Sequence, residues 1–495
     1  MKTATLIALI ALAGLSTPSW AGEIPPLPDG PRESEPAPPP QGPDDGEIPP
    51  MPPGPGDSGG NIPALPGEAE DGPPSVPDID PTQQVQNDSG PGWFDVTGFV
   101  EIRGGVRTQP DRHEPDASVG EARLQLSWDH RFGPIAVQLT GDLLYDEVSD
   151  HHSVDLESGQ GAFDLREAHA TFSPAEFMDV RVGRQILTWG TGDLIFLNDL
   201  FPKDWQSLFV GRDVEYLKAP SDAIRMGMFS EMVNFDLVYV PRFDSDRYVT
   251  GHRISYYSGT LERRAGRDAI VDADQPDEWF VDHEWHGRLY RQFGSYEVAG
   301  YGYWGYWKSP AGIDPATGEA TFPRLGVWGA SIRGPVSDGI GNIEAAYYDS
   351  RQDRDGDDPF VDNSQVRLLA GYEQDLPEIA EDLTVGVQYY VEMMMDYDDY
   401  RTALPPGASR KDRCRHVTTI RITKKLLQQN LTLSLFAFYS PSDSDAYLRP
   451  HAHYRIDDNW SVDFGANVFF GSRNDTFFGQ FERNSNVYAA LRYSF

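Results

Sequence analysis

The chain has 495 residues, with 77 Asp plus Glu against 41 Lys plus Arg and a formal charge of -36. A surface of that sign repels phosphate backbones, which excludes a DNA or RNA partner. With 12% aromatics, 48 glycines and a negative mean hydropathy, the composition is too polar for a bundle of membrane-spanning helices.

The first 21 residues, "MKTATLIALIALAGLSTPSWA", carry Lys2, an apolar run from Thr5 to Leu15 and small residues at Ser19 and Ala21. They read as a secretory signal peptide, residues 1–21, with an apolar run too short to span a bilayer. Cys414 is the only cysteine, so no internal disulfide is expected and no lipid-bearing cysteine follows the signal. No later segment approaches the roughly 18 continuous apolar residues of a spanning helix. An exported chain of this kind enters a membrane as strands.

Residues 22–92 hold about half of the 40 prolines, many acids and almost no large apolar side chains. A loose repeat runs through them: "GEIPPLPDGP" at Gly22, "GEIPPMPPGP" at Gly46 and "GNIPALPGEA" at Gly60. Such a composition cannot offset the entropy cost of folding, which predicts a disordered periplasmic tail. It serves either as a spacer or as a short-motif docking segment for a periplasmic partner.

From residue 93 to 495 the texture changes to segments of about ten alternating residues, the pattern of a transmembrane β-barrel. In "WFDVTGFVEIRGGVR", Phe94, Val96, Val100, Ile102 and Val106 share one face while Asp95, Thr97, Glu101, Arg103 and Arg107 share the other. "EARLQLSWD" and "IAVQLTGDLLYD" repeat the code, and similar segments recur to the C-terminus. The segment at 161–173 breaks it, with Glu167 and His169 at expected apolar positions. The predicted fold is an all-β, antiparallel barrel of about eighteen strands, an even number that returns both ends to one side. Short connections around Gly133, Gly294 and 337–339 alternate with long acidic ones at 147–160, 190–221, 243–280, 308–321, 352–361 and 396–411. That asymmetry, with Trp128, Tyr145, Tyr389, Tyr439, Tyr454 and Tyr493 near strand ends, fits a barrel with interfacial aromatic girdles. "NVYAALRYSF" at the end is the closing strand.

The lumen is where a pore acts on a solute. In "AYLRPHAHYRID" the alternation turns Arg449, His451, His453 and Arg455 inward, and the same parity turns Arg103, Arg107, Arg123, Arg421 and Arg492 inward. Acids share these faces, including Glu101, Glu121 and Asp463. Two roles stay open: ion pairs that stiffen the wall, or a basic ladder that guides anions. His451 and His453, two apart on one face, lack a third placed metal ligand.

Residues 190–221 contain Phe196, Leu197, Leu200, Phe201, Trp205, Leu208 and Phe209, too apolar for a solvent-exposed loop. Burial is available in the lumen, so this loop is expected to fold inward and constrict the pore, with a cap on the rim as the alternative. Asp193, Asp199, Lys203, Asp204, Arg212, Asp213, Glu215 and Lys218 would then lie nearest a passing solute. "DRDGDDP" sets Asp353, Asp355 and Asp357 around Gly356, a weak calcium candidate because Ser364 stands where an EF-hand needs Glu. No nucleophile elbow, Walker loop or zinc signature occurs, so neither an enzyme nor a cofactor is expected.

The "DVRVGRQILTWG" strand with its long loop, the strand number, the inward arginines and the final "LRYSF" together resemble porin-type outer-membrane barrels, and within them the alginate-export family. The terminal Phe495 resembles the signature read by the outer-membrane barrel assembly machinery. The resemblance implies a Gram-negative outer-membrane location, contact with outer-membrane lipid and a passive channel for small polar or anionic solutes. Porins are often trimers, though no contact surface is legible in the sequence. Export of an anionic polysaccharide is one alternative. A barrel that sheathes or anchors a periplasmic or surface partner such as a cytochrome conduit, recruited by the tail, is the other.

Overall fold

The computed structural model describes residues 96–149, 153–156, 161–406, 408 and 410–495. The segment read as a signal peptide, 1–21, and the proline-rich segment 22–92 lie outside the described residues.

Eighteen antiparallel strands form one sheet. They are β1 (Val96–Arg107), β2 (Ala117–Phe132), β3 (Ile135–Asp146), β4 (Phe163–Ala175), β5 (Met178–Ile186) and β6 (Pro220–Met228). Next come β7 (Asn234–Val240), β8 (Glu284–Phe293), β9 (Tyr296–Tyr306), β10 (Arg324–Val336), β11 (Gly339–Ser350) and β12 (Gln365–Asp375). The last six are β13 (Leu383–Met394), β14 (Cys414–Leu426), β15 (Leu431–Ser440), β16 (Asp445–Arg455), β17 (Trp460–Gly471) and β18 (Asn486–Ser494). Every strand pairs with its sequence neighbours, and β18 pairs with β1 from Phe99↔Ser494 to Arg107↔Asn486. The ring is closed. Phe495 completes it, since its N–H donates to the Gly98 carbonyl at 2.9 Å and the Gly98 N–H donates to its carbonyl at 3.0 Å.

The alternation read from the sequence becomes two surfaces. On β1, Val100, Ile102 and Val106 are exposed, whereas Glu101, Arg103 and Arg107 are buried. The outer belt continues through Leu139, Ile224, Leu289, Trp328, Ile343, Leu433 and Leu491. Polarity is therefore inverted relative to a water-soluble sandwich, with apolar side chains outside and charges within.

The irregular segment at 161–173 has a local cause. The β3–β4 register shifts between Thr140 and Gly141, opposite Glu167 and Leu165, so Arg166 is the extra residue of a β-bulge. Beyond the bulge the parity flips: buried Asp164 precedes it, buried Arg166 sits at it, and Glu167 and His169 follow on the same lumenal face. Strict alternation cannot anticipate one inserted residue.

Connections at 133–134, 176–177, 229–233, 294–295, 337–338, 376–382, 427–430 and 456–459 are tight and share a rim with both barrel ends. The opposite rim carries the long segments 147–162, 187–219, 241–283, 307–323, 351–364, 395–413 and 472–485. Two of these, 187–219 and 241–283, position the candidate site.

If the outer belt contacts lipid, Leu139→Arg, at a position that is 43% exposed midway along β3, is expected to destabilise the barrel by about 2–4 kcal/mol. The measurement is the urea midpoint of protein refolded into lipid vesicles. An unchanged midpoint would mean this face does not meet hydrocarbon.

Candidate functional site

Segment 187–219 leaves β5, crosses the lumen and returns to β6. Its Leu197, Leu200, Leu208, Phe209, Val210 and Leu217 pack with wall side chains Tyr303, Tyr348, Tyr390, Phe436, Phe438, Tyr447 and Phe469, and with Trp307 just beyond β9, in one apolar cluster. Burial at roughly 25 cal/mol per Å² drives this packing of the loop against the lumenal wall. Phe209 packs edge-on against Tyr447 and Phe469, with ring centroids 5.7 and 5.3 Å away.

The two limbs are tied to opposite walls. On the first limb, the Thr191 hydroxyl and the Gly192 N–H each donate to Glu344 Oε1 at 2.8 Å, and Asn198 Nδ2 donates to Glu344 Oε2 at 2.8 Å. The Asp193 carboxylate pairs with Arg421 at 2.5 Å, and its N–H donates to Gln388. On the second limb, Arg212 pairs with Glu121 at 2.6 Å, and Asp213 bridges Arg103 at 3.0 Å and Arg492. Glu344 lies on β11 and Glu121 on β2, nine strands apart in a ring of eighteen, so the segment reaches diametrically across.

The turn between the limbs is specified locally. Helix Trp205–Val210 is capped by Asp204, whose carboxylate accepts from the Ser207 N–H at 2.8 Å. It ends at Gly211 with φ of 89°, a left-handed conformation suited to glycine. A Cβ there would also collide with the Tyr488 ring on β18. Arg103 donates to the Gly211 carbonyl, which fixes the turn against the wall. Further along, Tyr216 lies between two wall arginines, with Arg123 4.0 Å and Arg166 4.8 Å from its ring centroid.

Several predicted solute-facing groups are instead internal. Lys203, Asp204 and Asp199 are 2%, 4% and 5% exposed. Lys203 pairs with Asp199 at 2.9 Å and Asp204 with Arg247 at 3.3 Å, because a charge buried in an apolar plug needs a partner beside it. They brace the loop and do not face a solute. Glu215 and Lys218 meet the wall through their carbonyls, which accept from Arg166. Asp193, Arg212 and Asp213 keep partial exposure at the two anchors.

The lumenal basic residues divide in the same manner. Arg103, Arg123 and Arg492 are bound by Glu101, Glu121, Asp142 and Asp213. Arg107 gives its guanidinium to the carbonyls of Pro115, Ala117 and Arg253 near the long-loop rim, and Arg449 donates to the Arg212 carbonyl at 2.8 Å. Arg421 stands between Asp193 and Glu373. Arg455 is exposed by the short-turn rim and donates to Asn430 Oδ1. His451 and His453 both approach Asp463, at 3.0 and 2.9 Å.

The calcium candidate is not assembled. Asp353 is buried and accepts from the Asp357 N–H at 3.1 Å, while Asp355 and Asp357 point to solvent. Among the described residues, the acids whose carboxylates converge are Glu101, Asp213 and Asp463. The Asp353 carboxylate closes its loop by accepting a backbone N–H.

A second inward segment was hidden in the sequence as another long acidic loop. Arg247 of 241–283 pairs with Asp164 at 2.8 Å and with Asp204, and Asp246 accepts from the Lys203 N–H and the Trp205 indole N–H. Segment 241–283 therefore clamps segment 187–219 from the long-loop side. Glu344, the principal anchor on β11, was also unmarked, although inward parity within "NIEAAYYDS" would have placed it in the lumen.

No protein-family model and no curated protein matches the chain, so neither supports the alginate-export resemblance. Solved structures with a similar fold include Pseudomonas aeruginosa OccK11 (OpdR), at 10% identity over 81% of this chain and 96% of that one, with a TM-score of 0.46. Acinetobacter baumannii OccAB4 is 12% identical over 81% and 97%, with a TM-score of 0.47. Salmonella typhi OmpF, solved in complex with daunomycin, is 10% identical over 81% and 97%, with a TM-score of 0.40. At these values the likeness does not extend to solute or assembly.

Two outcomes follow. Gly211→Val adds a side chain where the Tyr488 ring lies, so segment 187–219 should withdraw and become cleavable by protease in the folded barrel. Burial and the charge of Glu284 push the Asp244 carboxyl in the second loop up to about 7. Raised on folding, it favours the docked loop while protonated, and that contribution is lost as pH rises through about 7. Cleavage within 241–283 should be faster at pH 8 than at pH 5.5 in the wild type, with the difference reduced in Asp244→Asn.

Proposed function

We propose that the protein is an outer-membrane channel for small polar or anionic solutes, with segment 190–221 and the lumenal arginines setting its selectivity. The observation that carries this reading is a loop tied by ion pairs to both walls of a closed, apolar-faced ring. Such a loop narrows the lumen while its partly exposed ends offer charge to a solute. Asp193, Arg421 and Glu373 keep side-chain exposures of 26%, 30% and 28%, which makes this end of the crossing the favoured contact point. An export signal and a terminal aromatic strand fit the same location.

Polysaccharide export is less well supported. A polyanion needs a continuous cationic wall, whereas Arg103, Arg123 and Arg492 are already occupied by carboxylates. A partner sheath would leave no ion-selective pathway.

Single-channel recording in planar bilayers tests the proposal. Deleting residues 193–218 should raise unitary conductance and exclusion size, and Arg421→Ala should shift the reversal potential towards cation preference. Heat-modifiable electrophoretic mobility verifies that each variant is a folded barrel. Unaltered conductance and selectivity in folded variants, or a silent wild-type barrel, would refute a channel gated by this loop.

A further inference from the structure

On the outer face of β7 to β11, close to the long-loop rim, aromatic and cationic side chains lie in two neighbouring rows. The first row runs straight across the five strands through Tyr239, Trp285, Trp304, Gly326 and Asp349, each paired in register with the next. Trp285 and Trp304 are exposed, as are Trp328 and Tyr347, which pair with each other two residues further from the rim. The second row lies one step nearer the long loops. It holds Arg324 and Arg351, joined through the Arg351 N–H, which donates to the Arg324 carbonyl at 2.9 Å.

Arg351 reaches back over the sheet. Gly326 has no side chain, and the Arg351 stem passes over it, with Cδ 3.8 Å from where a Cβ would stand and the Trp328 ring 3.1 Å from the same point. The guanidinium carbon thereby rests 3.4 Å from the centroid of the Trp304 ring. Among the described residues this guanidinium forms no ion pair, and its Nε is buried without a hydrogen-bond partner. The Arg324 side chain is 48% exposed and lies 4.9 Å over the Tyr306 ring. Asp282, 3.9 Å from it, already accepts from the Tyr306 hydroxyl at 2.6 Å. Asp349 is taken by Arg354 at 3.0 Å. A chain with a formal charge of -36 therefore carries, at one place on the rim of its outer face, two guanidinium groups without a close carboxylate partner.

We propose that this patch binds the phosphate headgroup of one lipid in the leaflet at the long-loop rim, with Arg324 and Arg351 on the phosphate and the aromatic row along an acyl chain. Guanidinium groups match phosphate oxygens in pairs, and an indole stacked under Arg351 restrains a long side chain that would otherwise lose freedom on binding. Tyr306 and Trp304 stand two residues apart on β9, roughly 7 Å at about 3.4 Å per residue, so the two stacked cations address one headgroup. Trp and Tyr settle at the depth where headgroups begin, which sets the row and the cations at matching levels of a bilayer. The surroundings favour a lipid over a free anion. Asp355, Asp357 and Asp358, on the same connection as Arg351, are exposed, so a dissolved phosphate meets their charge, whereas a phosphate carried on acyl chains arrives along the aromatic face. Such a site needs an outer belt in lipid and holds whether or not the barrel conducts.

The test uses the full mature chain folded in detergent free of phospholipid. Diphosphoryl lipid A is titrated in, and native mass spectrometry counts the lipid retained per barrel, with phosphatidylcholine as the control of zero net charge. Wild type should retain one lipid A and no phosphatidylcholine at equal concentration. Arg324→Gln and Arg351→Gln should each weaken retention by about tenfold, the loss of one charge-assisted contact. Trp304→Leu keeps both charges but removes the platform under Arg351, and should weaken retention as well. Arg291→Gln, on the outer face of β8 towards the other rim, should change nothing. Heat-modifiable mobility identifies folded samples, so a variant that misfolds leaves the other two to decide. Wild type that retains both lipids alike, folded arginine variants that retain lipid A undiminished, or displacement of lipid A by inorganic phosphate, which would mark a site for free anions, would overturn the proposal.

Discussion

A sheet in hydrocarbon cannot keep an edge, because each unpaired backbone N–H or C=O there costs several kcal/mol with no water to satisfy it. The rest of this structure follows from that constraint. It demands a ring that ends where it began, and it explains why Phe495 exchanges hydrogen bonds with Gly98 through its own backbone. Once the ring is closed, its strands alternate between an apolar outer face and the lumen, and most of their charged residues lie on the inner face, Arg291 and Lys424 being exceptions that share parity with the outer belt.

The inside then has to solve a problem that soluble proteins face at their cores. Carboxylates and guanidinium groups taken out of bulk water must find partners, and Glu101, Arg103, Glu121, Arg123 and Asp142 do so among adjacent strands. Buried pairs of this kind add little net stability, yet breaking one costs about 3–5 kcal/mol. Their effect is therefore positional. Arg212 and Asp213 insert into the network from the loop, which holds the chain at one register on the wall.

Apolar packing and charge pairing act on different parts of segment 187–219. Leu208, Phe209 and Leu217 draw it into the lumen without direction, whereas Glu344 on one wall and Glu121 on the other decide where its ends rest. Segment 241–283 adds a second layer, with Arg247 joining the loop to β4 through Asp204 and Asp164. In a barrel plugged this way, Asp193, Arg212 and Asp213 stay partly exposed at the anchors.

Strand number, lipid-facing residues, closing strand and the apolar character of the crossing loop were legible in the sequence, because a two-residue period and local composition specify them. Three things were not. The bulge at Arg166 inverts the parity of β4, and no alternation rule marks it. The burial of Lys203 and Asp204 depends on Asp199 and on Arg247, a residue of a different loop. The meeting of His451 and His453 with Asp463 depends on the cross-strand register of β16 and β17. Period and composition are local properties that one stretch of chain carries by itself, so sequence alone determined the wall. Which charges pair across the lumen depends on distances between strands far apart in sequence, and only the closed tertiary structure decided them.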